Sequence, residues 1–181
     1  IRDILHLPLN ELTNRYVSLE EALGREGKDM EEQMMNLAGF DERVDSLETF
    51  LLGRLQRRNE FENNRMRMVM TRLLQCRGMF NVEQLAGYAC LSRKQFERVF
   101  AAYVGLMPKQ YLRVIRFLYA VEFRNRMPEV DLATLAFHTG YYDAAHLANE
   151  IKALTGHTSS TLFQLMCFSE DVESIEWFLG A

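Results

Sequence analysis

The sequence predicts an all-α fold: an N-terminal helical hairpin, then two helix-turn-helix units joined by a long connecting helix. Three observations carry this. Between Val82 and Val104, apolar residues recur at helical spacing on both sides of a tight turn, and a capping-box pattern precedes each helix. Further along, the same punctuation returns at Asp131, Gly140, Asp143 and Gly156. Between the two, Pro108 stands where a helix begins, and helical periodicity runs from it to about Arg126, ahead of Pro128.

Taken in order, residues 1–17 contain Pro8, alternate only loosely and read as irregular. Ser18 with Glu21 opens a helix that should run to about Leu37, with Gly39 after it. A second helix starts near Asp41 and carries Val44, Leu47, Phe50, Leu51 and Leu55 on one side. The short gap implies an antiparallel hairpin. Residues 54–77 are basic, with Arg54, Arg57, Arg58, Arg65, Arg67, Arg72 and Arg77 against Glu60 and Glu62. Their apolar stripe is Met66, Val69, Met70, Leu73 and Leu74, which reads as a supporting helix under the first helix-turn-helix.

Asn81 with Gln84 caps the next helix, which buries Val82, Leu85, Ala86 and Ala89. Ser92 with Gln95 opens its successor, whose stripe is Phe96, Val99, Phe100 and Tyr103 and whose end is Gly105. The opposite face shows Arg93, Lys94, Glu97 and Arg98. After Pro108 come Tyr111, Leu112, Ile115, Phe117, Leu118 and Val121. Asp131 caps a helix from Leu132 to Thr139, Asp143 caps one from Ala144 to Leu154, and Thr158 opens another. Ser169 opens an acidic amphipathic helix with Ile175, Trp177, Phe178 and Leu179, expected to dock on the body.

An amphipathic helix after a shorter one, with cations in its first turn, has the form of a helix that reads the major groove. An ordinary helical hairpin with a solvated polar face has the same pattern. Arg113 and Arg116 could reach phosphate or pair within the molecule. His138 and His146 read as structural histidines, with no third ligand at metal spacing.

Charge distribution favours a polyanionic partner. The chain of 181 residues has a net charge of −4, with 48% hydrophobic and 25% charged residues, as in soluble globular chains. Residues 81–130 hold eight cations against four anions, while residues 131–181 hold Lys152 against seven anions. Phosphate binding depends on local cations, because distant anions are screened at physiological salt. No apolar run approaches the ~18 residues of a membrane span. Cys76, Cys90 and Cys167 are far apart and form no C-x-x-C, so no disulfide framework, zinc site or other cofactor is expected, and the reducing cytoplasm is the expected compartment. No phosphate-cradling glycine loop, nucleophile elbow or H-E-x-x-H motif is present, so no enzyme is expected.

The runs LSRKQFERVF, MPKQYLRVIRFLYAVEF, LATLAFHTGYYDAAHL and TGHTSSTLF, in that order, resemble the AraC/XylS family of bacterial transcription regulators over roughly residues 66–165. The resemblance implies that the helix after Pro108 is the connecting helix, holding two reading helices about one DNA turn, ~34 Å, apart. It places Lys94, Glu97 and Arg98 at base-facing positions. LPLNELTNRYVSLEEALG resembles the segment after the sensor domain in one branch, which implies that the sensor lies outside this chain.

Departures concentrate in the second unit. Tyr141, Ala145, His146, Leu147 and Asn149 stand where the family shows phenylalanine, serine, histidine, phenylalanine and arginine. Ser159 replaces a proline and Phe163 an arginine. Ala144, Ala145 and Ala148 offer no base donors, and Glu150 adds an anion. In the first unit Cys90 replaces the turn glycine and Met107 a small polar residue.

The expected function is therefore sequence-specific DNA binding in transcription regulation, with the first unit dominant. The alternative is a helical protein-interaction module derived from such a regulator. The expected DNA-facing residues are Ser92, Arg93, Lys94, Gln95, Glu97, Arg98, Arg113, Arg116, His146 and Asn149. Expected partners are double-stranded DNA, with RNA polymerase and a second copy, through the hairpin or the absent sensor, as further candidates; no membrane is expected. The expected domains are 1–62 (hairpin and linker), 63–166 (double helix-turn-helix) and 167–181 (acidic helix).

Overall fold

The computed structural model describes residues 7–55 and 60–166. Every regular element among them is helical. A 3-10 turn, Leu9–Glu11, precedes ten α-helices: α1 (Leu19–Leu23), α2 (Arg25–Asn36), α3 (Phe40–Leu55), α4 (Glu60–Gln75), α5 (Val82–Tyr88), α6 (Arg93–Val104), α7 (Pro108–Arg126), α8 (Leu132–His138), α9 (Ala144–Thr155) and α10 (Ser159–Met166). Cys167 and the acidic helix expected at 167–181 lie outside the described residues.

Two units account for the contacts. The first takes the described residues up to Met68 together with Ala86–Pro108; the second takes Val69–Leu85 and the described residues from Lys109 on.

In the first unit, Ser18 caps α1 by accepting the Glu21 amide at 3.0 Å. The helix expected to continue to Leu37 is broken instead at Gly24, whose φ of 63° and ψ of −139° reverse the chain. The reason is a pair of glycines. Gly24 adopts a backbone that a side chain disfavours, and Gly27 lets α2 press on α1, since a Cβ there would lie 2.0 Å from the Leu19 carbonyl oxygen. Glu31 then accepts the Leu19 amide at 3.0 Å.

α2 and α3 form the expected antiparallel hairpin: Arg54, near the end of α3, pairs with Glu26, near the start of α2. Arg54 is only 8% exposed and its guanidinium stands 5.6 Å from the Phe50 ring centre. The apolar set expected on one side of α3 is only partly covered: Phe50, Leu51 and Leu55 are half-buried, whereas Val44 and Leu47 are exposed.

In the second unit, α4 ends in two left-handed residues, Arg77 at φ 54° and Gly78 at φ 72°. They return the Gly78 amide to the Leu73 carbonyl at 3.2 Å and the Arg77 amide to Leu74 at 2.8 Å. α7 begins at Pro108 and runs 19 residues, as the sequence predicts. Asp131 accepts the Ala133 and Thr134 amides at 2.9 and 3.0 Å. The Thr134 amide bond, chiefly, holds its carboxyl below the usual range. Ala120, Leu135, Ala136, Tyr141, Leu147 and Ile151 make the core.

The turn between α5 and α6 matches the turn between α8 and α9. The Leu91 amide reaches the Ala86 carbonyl at 3.0 Å, and the Tyr141 amide reaches Ala136 at 2.9 Å. The penultimate residue of each turn is left-handed: Cys90 at φ 53° and Gly140 at φ 75°. A non-glycine residue there costs roughly 1–2 kcal/mol. Cys90 is exposed and forms no disulfide, so little burial would be lost with its side chain. Cys90→Gly should therefore stabilise the chain by about 1 kcal/mol, read as a higher urea midpoint with an unchanged slope.

Candidate nucleic-acid interface

Local chemistry sets the start of α6. Ser92 Oγ accepts the Gln95 amide at 3.4 Å, and Gln95 Oε1 accepts the Ser92 amide at 3.2 Å, a reciprocal cap. Phe96 and Phe100 are fully buried, with ring centres 5.4 Å apart, and they fix which way the helix faces. Ser92, Arg93, Lys94, Gln95 and Arg98 are left exposed. Glu97 is half-buried and accepts from Arg93 Nε at 3.0 Å, so these two charges offset one another. Lys94 and Arg98 supply the net positive charge of this face. Val99, expected in the core, is half-buried.

A neighbour that periodicity did not reveal lines the same face. Pro8, Asn10 and Glu11 form one wall of a groove whose other wall is Lys94, Glu97, Arg98 and Ala101. The segment is tied down by Thr13, whose hydroxyl donates to the Gly105 carbonyl at 2.6 Å. Gly105 is left-handed at φ 90°, and a Cβ there would sit 3.0 Å from the Thr13 hydroxyl.

α9 is placed by Asp143, which accepts the His146 amide at 2.7 Å. His146 in turn accepts the Tyr142 amide on Nδ1 at 3.3 Å, and its ring meets Tyr141 edge-on at 5.3 Å. Tyr142, Ala145, His146, Asn149 and Lys152 are exposed; Ala144 and Ala148 are half-buried. His138 stacks on Phe123 at 5.2 Å.

Glu150 does not add an anion to this surface. It takes two hydrogen bonds from Arg113, at 2.8 Å from Nε and 3.1 Å from Nη2. The hydrogen bond from Arg113 to Glu150 pushes the Arg113 pKa further up. Arg116 donates to the Gly78 carbonyl at 3.1 Å and stands 5.6 Å from the Tyr141 ring centre. Both arginines named for phosphate are thus held within the second unit.

Residues 85–164 match the family model described as a helix-turn-helix domain. This segment is similar to AraC-type helix-turn-helix domains. It contains α6 to α9 and most of α10, and so both candidate reading helices. An uncharacterized HTH-type transcriptional regulator of Haemophilus influenzae is 30% identical to the chain over 73 residues. That match covers 40% of this chain and 24% of that protein. No solved structure matches the chain. Among the described residues, no helix is long and apolar enough to cross a membrane, and no three His, Cys, Asp or Glu side chains gather as a metal site.

The domain holds two imperfectly satisfied buried groups, one of them Arg116 Nε. The Tyr141 hydroxyl is buried with no hydrogen-bond partner among the described residues, and burial pushes its pKa up to about 12. A raised folded pKa means that the neutral form contributes stability fully below the unfolded value of ~10. That contribution is lost as pH rises from there towards about 12. Tyr141→Phe should be neutral or stabilising by up to about 1 kcal/mol at pH 7, and should flatten the fall in melting temperature between pH ~10 and ~12.

Proposed function

We propose that this chain binds double-stranded DNA in a sequence-specific way and regulates transcription, with α6 as the main reading helix. The observation that carries this is the Ser92-capped start of α6, where exposed Lys94 and Arg98 lie within the helix-turn-helix domain. The helix-turn-helix regulator from Haemophilus influenzae supports the same reading. In the major groove, Arg98 and Lys94 suit guanine O6 and N7, while Ser92 suits phosphate. Glu97 can accept from cytosine N4 once Arg93 releases it. Release costs little, since exposed ion pairs contribute ~0–1 kcal/mol.

The second reading helix contributes less. Asn149 stands one turn beyond Ala145 on the exposed face of α9, and Lys152 is the cation of that helix. Asn149 fits a bidentate contact with adenine.

Selection of binding sites from random duplexes with the whole chain tests the reading: an enriched motif is expected, and equal recovery of all sequences would reject it. Arg98→Ala should cost about 1–3 kcal/mol and relax preference at one base pair, whereas Arg93→Ala should weaken all duplexes alike. Asn149→Ala should lose clearly less than Arg98→Ala in the same anisotropy titration. With Arg113 and Arg116 engaged internally, two or three phosphate contacts from α6 give a log–log salt slope of roughly −2 to −3 per monomer. A slope much steeper than that would show that the connecting-helix arginines join the interface.

A further inference from the structure

The base-facing side chains of α6 have a neighbour. Lys94, Glu97 and Arg98 open into a groove whose opposite wall is Pro8, Asn10 and Glu11. The groove holds about 530 Å³, and water enters it, since Asn10, Glu11, Lys94 and Arg98 are all exposed. A duplex is a larger guest. The major groove of B-DNA is about 12 Å wide, and an α-helix with its side chains is already about 10–12 Å across. α6 therefore fills the groove it reads, with no width left for a second length of chain on its base-facing side. Residues 8–11 and a duplex compete for one place. The Glu11 carboxylate in that wall also repels phosphate.

The wall is fastened behind the groove rather than to the reading residues. The Thr13 hydroxyl donates to the Gly105 carbonyl at 2.6 Å, just past the end of α6. The bare α-carbon of Gly105 lets Leu9 close in, since a Cβ there would lie 3.5 Å from Leu9 Cβ. Arg15 donates to the Glu11 carbonyl at 3.3 Å and to Glu21 at 3.0 Å, which ties the other end of the segment to α1. These ties are weak ones. A hydrogen bond of ordinary net strength moves an equilibrium only about two- to tenfold.

We propose that residues 8–13 form an autoinhibitory strap across the base-facing side of α6, and that a duplex binds only the molecules in which the strap has left. This rests on the reading of α6 as the DNA-reading helix. Apparent affinity falls in proportion to the open fraction, so loosening the strap tightens DNA binding.

Anisotropy titration of the full chain with a duplex recovered by the selection above tests it. Thr13→Val and Leu9→Ala should each bind that duplex roughly two- to tenfold more tightly, and the double variant more tightly than either. In the unmodified chain, a nuclear Overhauser contact between the Leu9 side chain and the Gly105 α protons is expected without DNA and should vanish at saturating duplex. A contact that persists in the complex would overturn the proposal, because strap and duplex would then coexist. So would unchanged or weaker binding by both Thr13→Val and Leu9→Ala. Arg98→Ala separates the two failures. Binding that depends on Arg98 but is not tightened by the Leu9 and Thr13 variants overturns the strap alone, whereas binding indifferent to Arg98 overturns the reading by α6 and the strap with it.

Discussion

In each helix-turn-helix, one left-handed residue and the six-residue hydrogen bond around it set how the second helix leaves the first. The Leu91 amide on Ala86 and the Tyr141 amide on Ala136 close the two turns in the same way. The side-chain cap that follows, Ser92 or Asp143, then fixes where the second helix begins. Buried anchors at helical spacing, Phe96 and Phe100 in one and Leu147 and Ile151 in the other, fix its rotation. Which side chains reach outward is a consequence of these three settings. The angle, origin and rotation are alike in kind, yet the exposed residues differ. Two backbones of one design therefore present unequal chemistry.

The inequality extends to charge. In the second unit, the carboxylate of Glu150 and the guanidinium of Arg113 meet in a two-pronged contact that fastens α9 to α7. In the first, the Arg93–Glu97 pair lies along a single helix. One pair is structural and bidentate, the other local and readily opened. The connecting-helix arginines Arg113 and Arg116 belong to the architecture of their unit, whereas Lys94 and Arg98 of α6 are exposed.

Much of this was legible in the sequence, because caps and stops act over three or four residues. Asn81 with Gln84, Ser92 with Gln95, Asp131, Pro108 and the glycines at 105, 140 and 156 all mark helix ends where they were expected. The break at Gly24 was less visible, since its cause is the contact between Gly27 and Leu19. Glu150 could not be placed from periodicity, because its partner is 37 residues away. The exposed Val44 and Leu47 of α3 show the same limit. The pattern revealed an apolar side but not which body, if any, it met. The groove beside Lys94 and Arg98 was missed because residues 8–11 carry no periodic signal.

The hydroxyl of Thr13 and the carbonyl of Gly105 are 92 residues apart in the chain, yet in direct contact. During vectorial synthesis the early segment leaves the ribosome long before its counterpart exists. It must wait, unpaired, while the hairpin helices form from local contacts. Closing so long a loop carries an entropic cost that grows only slowly with length, but it cannot begin until the far end has emerged. The C-terminal end of α6 can therefore be completed only after residue 105 has emerged.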